Sequence, residues 1–224
     1  MGLALVLVPS GKSDWVAATP LPMFPLSTVL YPHVSINLHL FEPRYRALAR
    51  DLSSGDGRFG IVLISRGSEV GGGEERYDIG TKARVTEALE LPDGRWHVIA
   101  RGEERIRIET WLPDDPYPVA LVYPLPDLEP EAEPASDIRE RAERAVKRAL
   151  ALKAELDEPA HSTSLEISSD PVRAGYELAA VAPITTHDHQ RLLEAESAFM
   201  RLSLVAQLAS EAGDHLLARL AQGG

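Results

Sequence analysis

The chain has 224 residues, 44% hydrophobic and 25% charged, which is apolar material for one large core or two smaller ones. Its formal charge is −11, with 13 basic against 16 acidic side chains in residues 1–126 and 10 against 18 in residues 127–224. Such a surface repels phosphate backbones and anionic lipid headgroups and disfavours nucleic acid and membranes as partners. Cysteine is absent, which excludes disulfides, cysteine-ligated zinc and thiol catalysis.

Residues 1–19 read as a flexible tail. The apolar run Leu3–Val8 lacks a basic stretch before it and a small-residue cleavage site after it, and a membrane span needs about 20 apolar residues, so a cytoplasmic protein is expected. Pro9-Ser-Gly-Lys-Ser13 looks like the tail of a phosphate-binding loop. The glycine that such a loop needs would fall at Val6, so no nucleotide or other cofactor is expected.

From Leu21 to Leu125 the pattern is mainly that of strands. Arg58–Ile64 is a short apolar run suited to a buried strand. Arg84–Leu91 and Trp96–Arg101 are joined through Pro92-Asp93-Gly94, where Asp-Gly supplies the positive φ of a tight hairpin. Arg105–Glu109 alternates polar and apolar residues. One helix interrupts the region: Pro43 suits its first position, and Tyr45, Leu48, Ala49 and Leu52 fall on one face. Phe41 and Tyr45 read as core, with Glu42 or Arg44 tying the helix to the sheet. Gly71-Gly72-Gly73 reads as a turn, since Glu74 and Glu75 would repel a phosphate.

Residues 20–126 are expected to form one β domain. Asp127–Ser136, acidic and proline-rich, reads as a linker with little to bury. Residues 137–224 then form a helical domain. Ile138, Ala142, Ala145, Val146, Ala149, Leu152 and Leu156 make one stripe. Asp170-Pro171 is a helix start that should run to Ala182, and Thr185 or Thr186 can cap the next. A last long helix begins near Ser197 and carries Phe199, Leu202, Val205, Leu208 and Leu216. His187-Asp188-His189 reads as a solvated helix start, because residues one and two apart on a helix point away from a common ion. No metal site is expected, and no organised nucleophile; His161-Ser162-Thr163-Ser164 lies in a loop with no orienting partner.

The segments LPMFPLSTVLYPHVSINLHLFEPRY (Leu21–Tyr45), RFGIVLI (Arg58–Ile64), EVGGG (Glu69–Gly73), YDIGTKARV (Tyr77–Val85) and DGRWHVIARGEERIRI (Asp93–Ile108), in this order, resemble the LON domain. That domain is the substrate-engaging N-terminal part of bacterial Lon proteases and also occurs without a protease. The likeness resumes from Asp170 and departs at residues 1–18, in the long connector and at His33, where Lon-like sequences often have glycine. It implies an α+β chain, with a PUA-like β pseudo-barrel followed by a C-terminal helical bundle. Neither the ATPase nor the Ser-Lys protease segment of Lon is present, so a non-catalytic module that binds unfolded polypeptide or a protein partner is expected. An adaptor or regulator of the Lon machinery and an RNA-binding PUA-like module are the alternatives, and the acidity counts against RNA. Pro22, Pro25 and Pro32 hold their segment extended, so Met23, Phe24, Tyr31 and His33 are expected to form an exposed patch that contacts polypeptide, the competing reading being that Phe24 and Tyr31 are core residues of the first strands.

Overall fold

The computed structural model describes residues 5–7, 15–67, 69, 73–128, 137–156, 158–159, 161 and 166–222. The chain divides into two compact units, Met1–Pro126 and Asp127–Gly224. The first is mainly sheet and the second helical, an α+β architecture.

In the first unit β1 (Leu5–Leu7) pairs antiparallel with β2 (Trp15–Ala17), so part of the expected tail is a two-stranded ribbon. Pro9–Ser13 lies outside the described residues. The main sheet is built from β3 (Thr19–Leu26), β4 (Ser35–Leu40), β5 (Arg58–Arg66), β6 (Glu75–Glu90), β7 (Trp96–Leu112) and β8 (Val119–Pro124). Their order is β4-β7-β6-β5-β3-β8, and β8 also pairs with β7. Five strands therefore close on themselves, and β4 lies outside the closure on the first half of β7.

The hairpin expected at Pro92-Asp93-Gly94 forms, with Gly94 at φ 77° and its N–H donating to the Leu91 carbonyl. Its two arms are longer than the sequence pattern suggests. Trp96–Arg101 and Arg105–Glu109 are parts of one 17-residue strand. Register shifts between Lys82 and Ala83 and between Val85 and Glu87 break the alternation without ending β6.

Helix α1 (Pro43–Ser54) buries Tyr45, Leu48, Ala49 and Leu52, the face expected. These pack with Phe24, Leu40, Phe59 and Val98, while Met23, Val62, Ile106 and Val122 belong to a second apolar cluster. This corrects the expected exposed patch. Met23, Phe24 and Tyr31 are core residues, at 0%, 7% and 1% exposure. The prolines do hold their segment extended. Its first part, however, is β3, which pairs with β5 along one stretch and β8 along the other with its apolar side chains facing the interior, and residues 31–33 lie in the turn beyond it, where Pro32 bridges Gly102.

Of the four, His33 alone is exposed. Its φ is 66°, in the left-handed region that glycine occupies without steric cost, which accounts for the glycine that Lon-like sequences often have there and makes His33 a strained substitute. The backbone cannot relax to another shape at this point. His33 N–H donates to the Gly102 carbonyl, Gly102 N–H donates to the Val34 carbonyl, and any Cβ at Gly102 would run into the Tyr31 carbonyl.

The second unit contains α2 (Ile138–Glu155), α3 (Pro171–Val181), α4 (Thr186–Glu194) and α5 (Ala198–Gln222). Asp170 caps α3 by accepting from the N–H groups of Val172 and Arg173, and Thr185 caps α4 by accepting from Asp188 N–H. On α2 the inner face holds Leu150 where the periodicity suggested Leu152. Arg201 on α5 is fully buried. It makes a bidentate pair with Asp127 at 2.8 Å for each bond and donates to the carbonyls of Leu192 and Ala195. Its guanidinium lies 3.9 Å from the Tyr176 ring centroid. Leu128 N–H also donates to the Glu196 carbonyl. The start of the acidic segment is therefore anchored in the helical unit, a role its composition does not reveal.

Candidate functional site

Beside β4 the first unit has an open cavity of about 240 Å³, lined by Phe24 and Leu26 from β3, the consecutive residues Ile36–Phe41, Glu42 and Tyr45 at the start of α1, and Glu69. Alternate side chains of a strand point to opposite faces. Six consecutive residues can share one cavity only if it runs along the strand's edge.

Phe41 follows the last residue of β4 and is 52% exposed, which corrects its expected place in the core. Tyr45, one turn into α1, is buried at 3% exposure against Phe24, with ring centroids 4.4 Å apart in an edge-on arrangement. Its hydroxyl has no hydrogen-bond partner. Burial pushes its pKa up to about 12.

Arg44 holds the rim together. Its Nε bonds Glu42 at 3.2 Å, one terminal nitrogen donates to the Glu69 carbonyl at 3.2 Å, and the guanidinium sits 4.4 Å from the Tyr45 ring centroid. Glu69 in turn accepts from Ser27 N–H. The charged side chains lining the cavity are thus the carboxylates Glu42 and Glu69, with His39 as a further titratable group. His39 stacks on His97 across the strand pair at 4.6 Å between centroids and meets Phe41 edge-on at 6.3 Å.

Of the four residues expected to bind, Phe24 reaches this cavity, as part of its wall. Met23, Tyr31 and His33 are not among its lining. Leu26, Ile36, Leu38 and Phe41 were missed. A signal for Ile36 and Leu38 was present: Ser35–Leu40 alternates polar and apolar residues with no charge and no proline.

Two larger hollows lie in the helical unit. One of about 550 Å³ contains Lys153, Glu158, His161, His189 and Arg219, but Arg219 is tied to Glu158 at 2.6 Å. His189 is no solvated group: burial lowers its pKa, and it bonds the backbone of Ala179. The other is a shallow hollow of about 580 Å³ along α4 and α5 beside Phe199 and Met200. Phe199, expected on the inner stripe, is 39% exposed there. No group of three or more metal-ligating side chains occurs among the described residues. Ser162–Ser164 lies outside them.

Residues 20–211 match the family model of the ATP-dependent protease La (LON) substrate-binding domain. The chain belongs to this family. It is 25% identical over 192 residues to a Lon protease of Cytophaga hutchinsonii, and 28% identical over 193 residues to one of Desulfovibrio desulfuricans. These matches cover 84% and 83% of this chain but 24% and 21% of those proteins, so the chain spans less than a quarter of their length.

Among solved structures it resembles a Lon N-terminal domain protein from Xanthomonas campestris, with a TM-score of 0.58 at 26% identity, covering 89% of this chain and 98% of that one. The N-terminal domain of a Mycobacterium avium complex Lon protease shares the fold at the same TM-score and 17% identity, over 86% and 99% of the two chains. The matched region is the family's substrate-binding portion. No helix among the described residues is long and apolar enough to cross a membrane.

Proposed function

We propose that this LON domain binds protein substrates in non-native, extended form, and that the cavity between β3, β4 and α1 receives their apolar side chains. The observation that carries this reading is Phe41. It is a large aromatic residue, 52% exposed, set at the mouth of an apolar cavity whose deeper wall is Phe24, Leu26, Leu38 and Tyr45. An aromatic anchor beside a preformed apolar hollow is the usual composition of a binding hot spot. Membership of a substrate-binding family supports the same reading.

The test uses a fluorescently labelled polypeptide held unfolded by reduction and carboxymethylation, titrated with the protein. Phe41→Ala should weaken binding by about tenfold or more, as for a hot-spot aromatic, and leave the melting temperature nearly unchanged because the ring is half in water. Wild-type affinity in that variant would place the binding surface elsewhere.

A further inference from the structure

Which backbone groups of β4 are engaged follows from the phase of its ladder. Gly102 N–H donates to the Val34 carbonyl, and the register from Ser35↔Arg101 to Leu40↔Trp96 continues that pairing without a shift. In an antiparallel ladder, hydrogen-bonded and non-hydrogen-bonded pairs alternate. Ile36, Leu38 and Leu40 therefore bond β7, and Ser35, Asn37 and His39 turn their N–H and C=O groups away from it.

The other side of β7 gives the same phase. Leu91 N–H donates to the Arg95 carbonyl, so Arg95, His97 and Ile99 bond β6. The His39–His97 pair is then of the non-hydrogen-bonded kind, in which side chains come closer, as their stacking at 4.6 Å requires.

Among the described residues, β4 alone of the six strands in this sheet pairs with a single neighbour. Exposed edges are normally guarded by lysine, proline, an inward charge or a bulge. Ser-Ile-Asn-Leu-His-Leu, Ser35–Leu40, has no lysine, arginine, acid or proline, and its pairing has no bulge.

We propose that this edge is a template for main-chain pairing: an extended client segment adds as a further strand beside β4, bonding Ser35, Asn37 and His39. This rests on the polypeptide-binding reading above and specifies its mode. The clients selected are extended, proline-free segments of alternating apolar residues that carry lysine or arginine nearby. Backbone bonds give affinity without a fixed sequence, and the cavity along the same edge takes alternate side chains. Charge decides between a client and a second copy of this chain. The cavity's charged lining is Glu69 together with Glu42, which Arg44 already pairs, and another copy would bring its own −11 and its own carboxylates to the contact. A basic client complements them.

The probe is a labelled decapeptide of alternating threonine and valine with a lysine at each end, compared with two analogues N-methylated at alternate residues on one edge or on the other. One analogue should lose at least tenfold in affinity while the other binds like the parent. Asn37→Pro removes an N–H that the β7 ladder does not use and should weaken the parent peptide to the same extent. Asn37→Lys, which restores a usual edge guard, serves if the proline variant fails to fold.

Equal binding of both analogues and the parent would overturn main-chain pairing. So would failure of the decapeptide to bind while the carboxymethylated polypeptide still binds through Phe41, and in that case the proposed function stands. If neither ligand binds, both readings fall. A concentration-dependent dimer that Asn37→Pro dissolves would assign the edge to a second copy and overturn the client.

Discussion

Asp127→Ala should destabilise the helical unit selectively. The carboxylate accepts two bonds of 2.8 Å from Arg201, whose side chain is fully buried, and it is the sole anionic partner that guanidinium has among its observed bonds. The two remaining acceptors are the backbone carbonyls of Leu192 and Ala195. Deleting one partner of a buried pair leaves an uncompensated charge and costs about 3–5 kcal/mol. The Asp127 side chain is 16% exposed, so water can enter the space it leaves and the lower end, about 3 kcal/mol, is the expected cost. For a unit of about 100 residues each kcal/mol moves the melting temperature by roughly 4–8 °C, so a fall of at least about 12 °C follows.

The three tryptophans, Trp15, Trp96 and Trp111, all lie in the first unit, so two probes separate the effects. The helical signal at 222 nm should melt early while the tryptophan transition stays in place. Asp127→Asn, which keeps an acceptor oxygen but no charge, should fall between wild type and alanine. A shift under about 3 °C in the helical transition of Asp127→Ala would refute the reasoning.

Replacing His33 by glycine should raise the stability of the first unit by about 0.5–1 kcal/mol in denaturant melts, because its φ of 66° is strained for any side chain. Tyr45 and Tyr117 both have pKa values raised to about 12, mainly by burial and, for Tyr117, by its bond to Asp51 as well. Above pH 10 the unfolded chain loses these protons and the folded chain keeps them, so stability should fall as pH rises from about 10 to 12. Tyr45 and Tyr117 should then ionise late in absorbance titrations. Burial lowers the pKa of His189, against the opposing effects of Asp188 and the Ala179 bond. Below its ordinary 6.5 the unfolded chain takes up a proton that the folded helix resists, so the helical unit should weaken as pH falls from about 6.5. His189→Gln should flatten that slope in melts followed at 222 nm.

The helical part of the fold was legible because its signals are local. Asp170 and the proline after it state a helix start within two residues, and the stripe of α1 is visible within ten. The sheet was less so. Met23 and Tyr31 sit among prolines in a segment that looks like a contact surface, and they are buried by strands that arrive 35 to 100 residues later in the chain. Asp127 has the composition of a linker and is fixed by an arginine 74 residues away. In each case the deciding partner is remote in sequence, and composition carries no record of it.

The candidate site shows the same division more sharply. The alternation from Ser35 to Leu40 says that one face of a strand is apolar, and it says equally well that the strand is central or marginal. Only the strand pairing separates the two, because a central strand would spend the N–H groups of Ser35, Asn37 and His39 on a second neighbour. What the sequence does hold is the missing protection. A strand buried between two partners needs no lysine or proline, whereas one left at an edge is normally given one. Once the fold places β4 at the margin, the absence of any guard in Ser35–Leu40 stops being neutral composition and becomes a property that pairing with another chain would explain. The binding mode is therefore tested at Asn37, a residue whose side chain carries no chemistry of note and whose backbone faces the open edge.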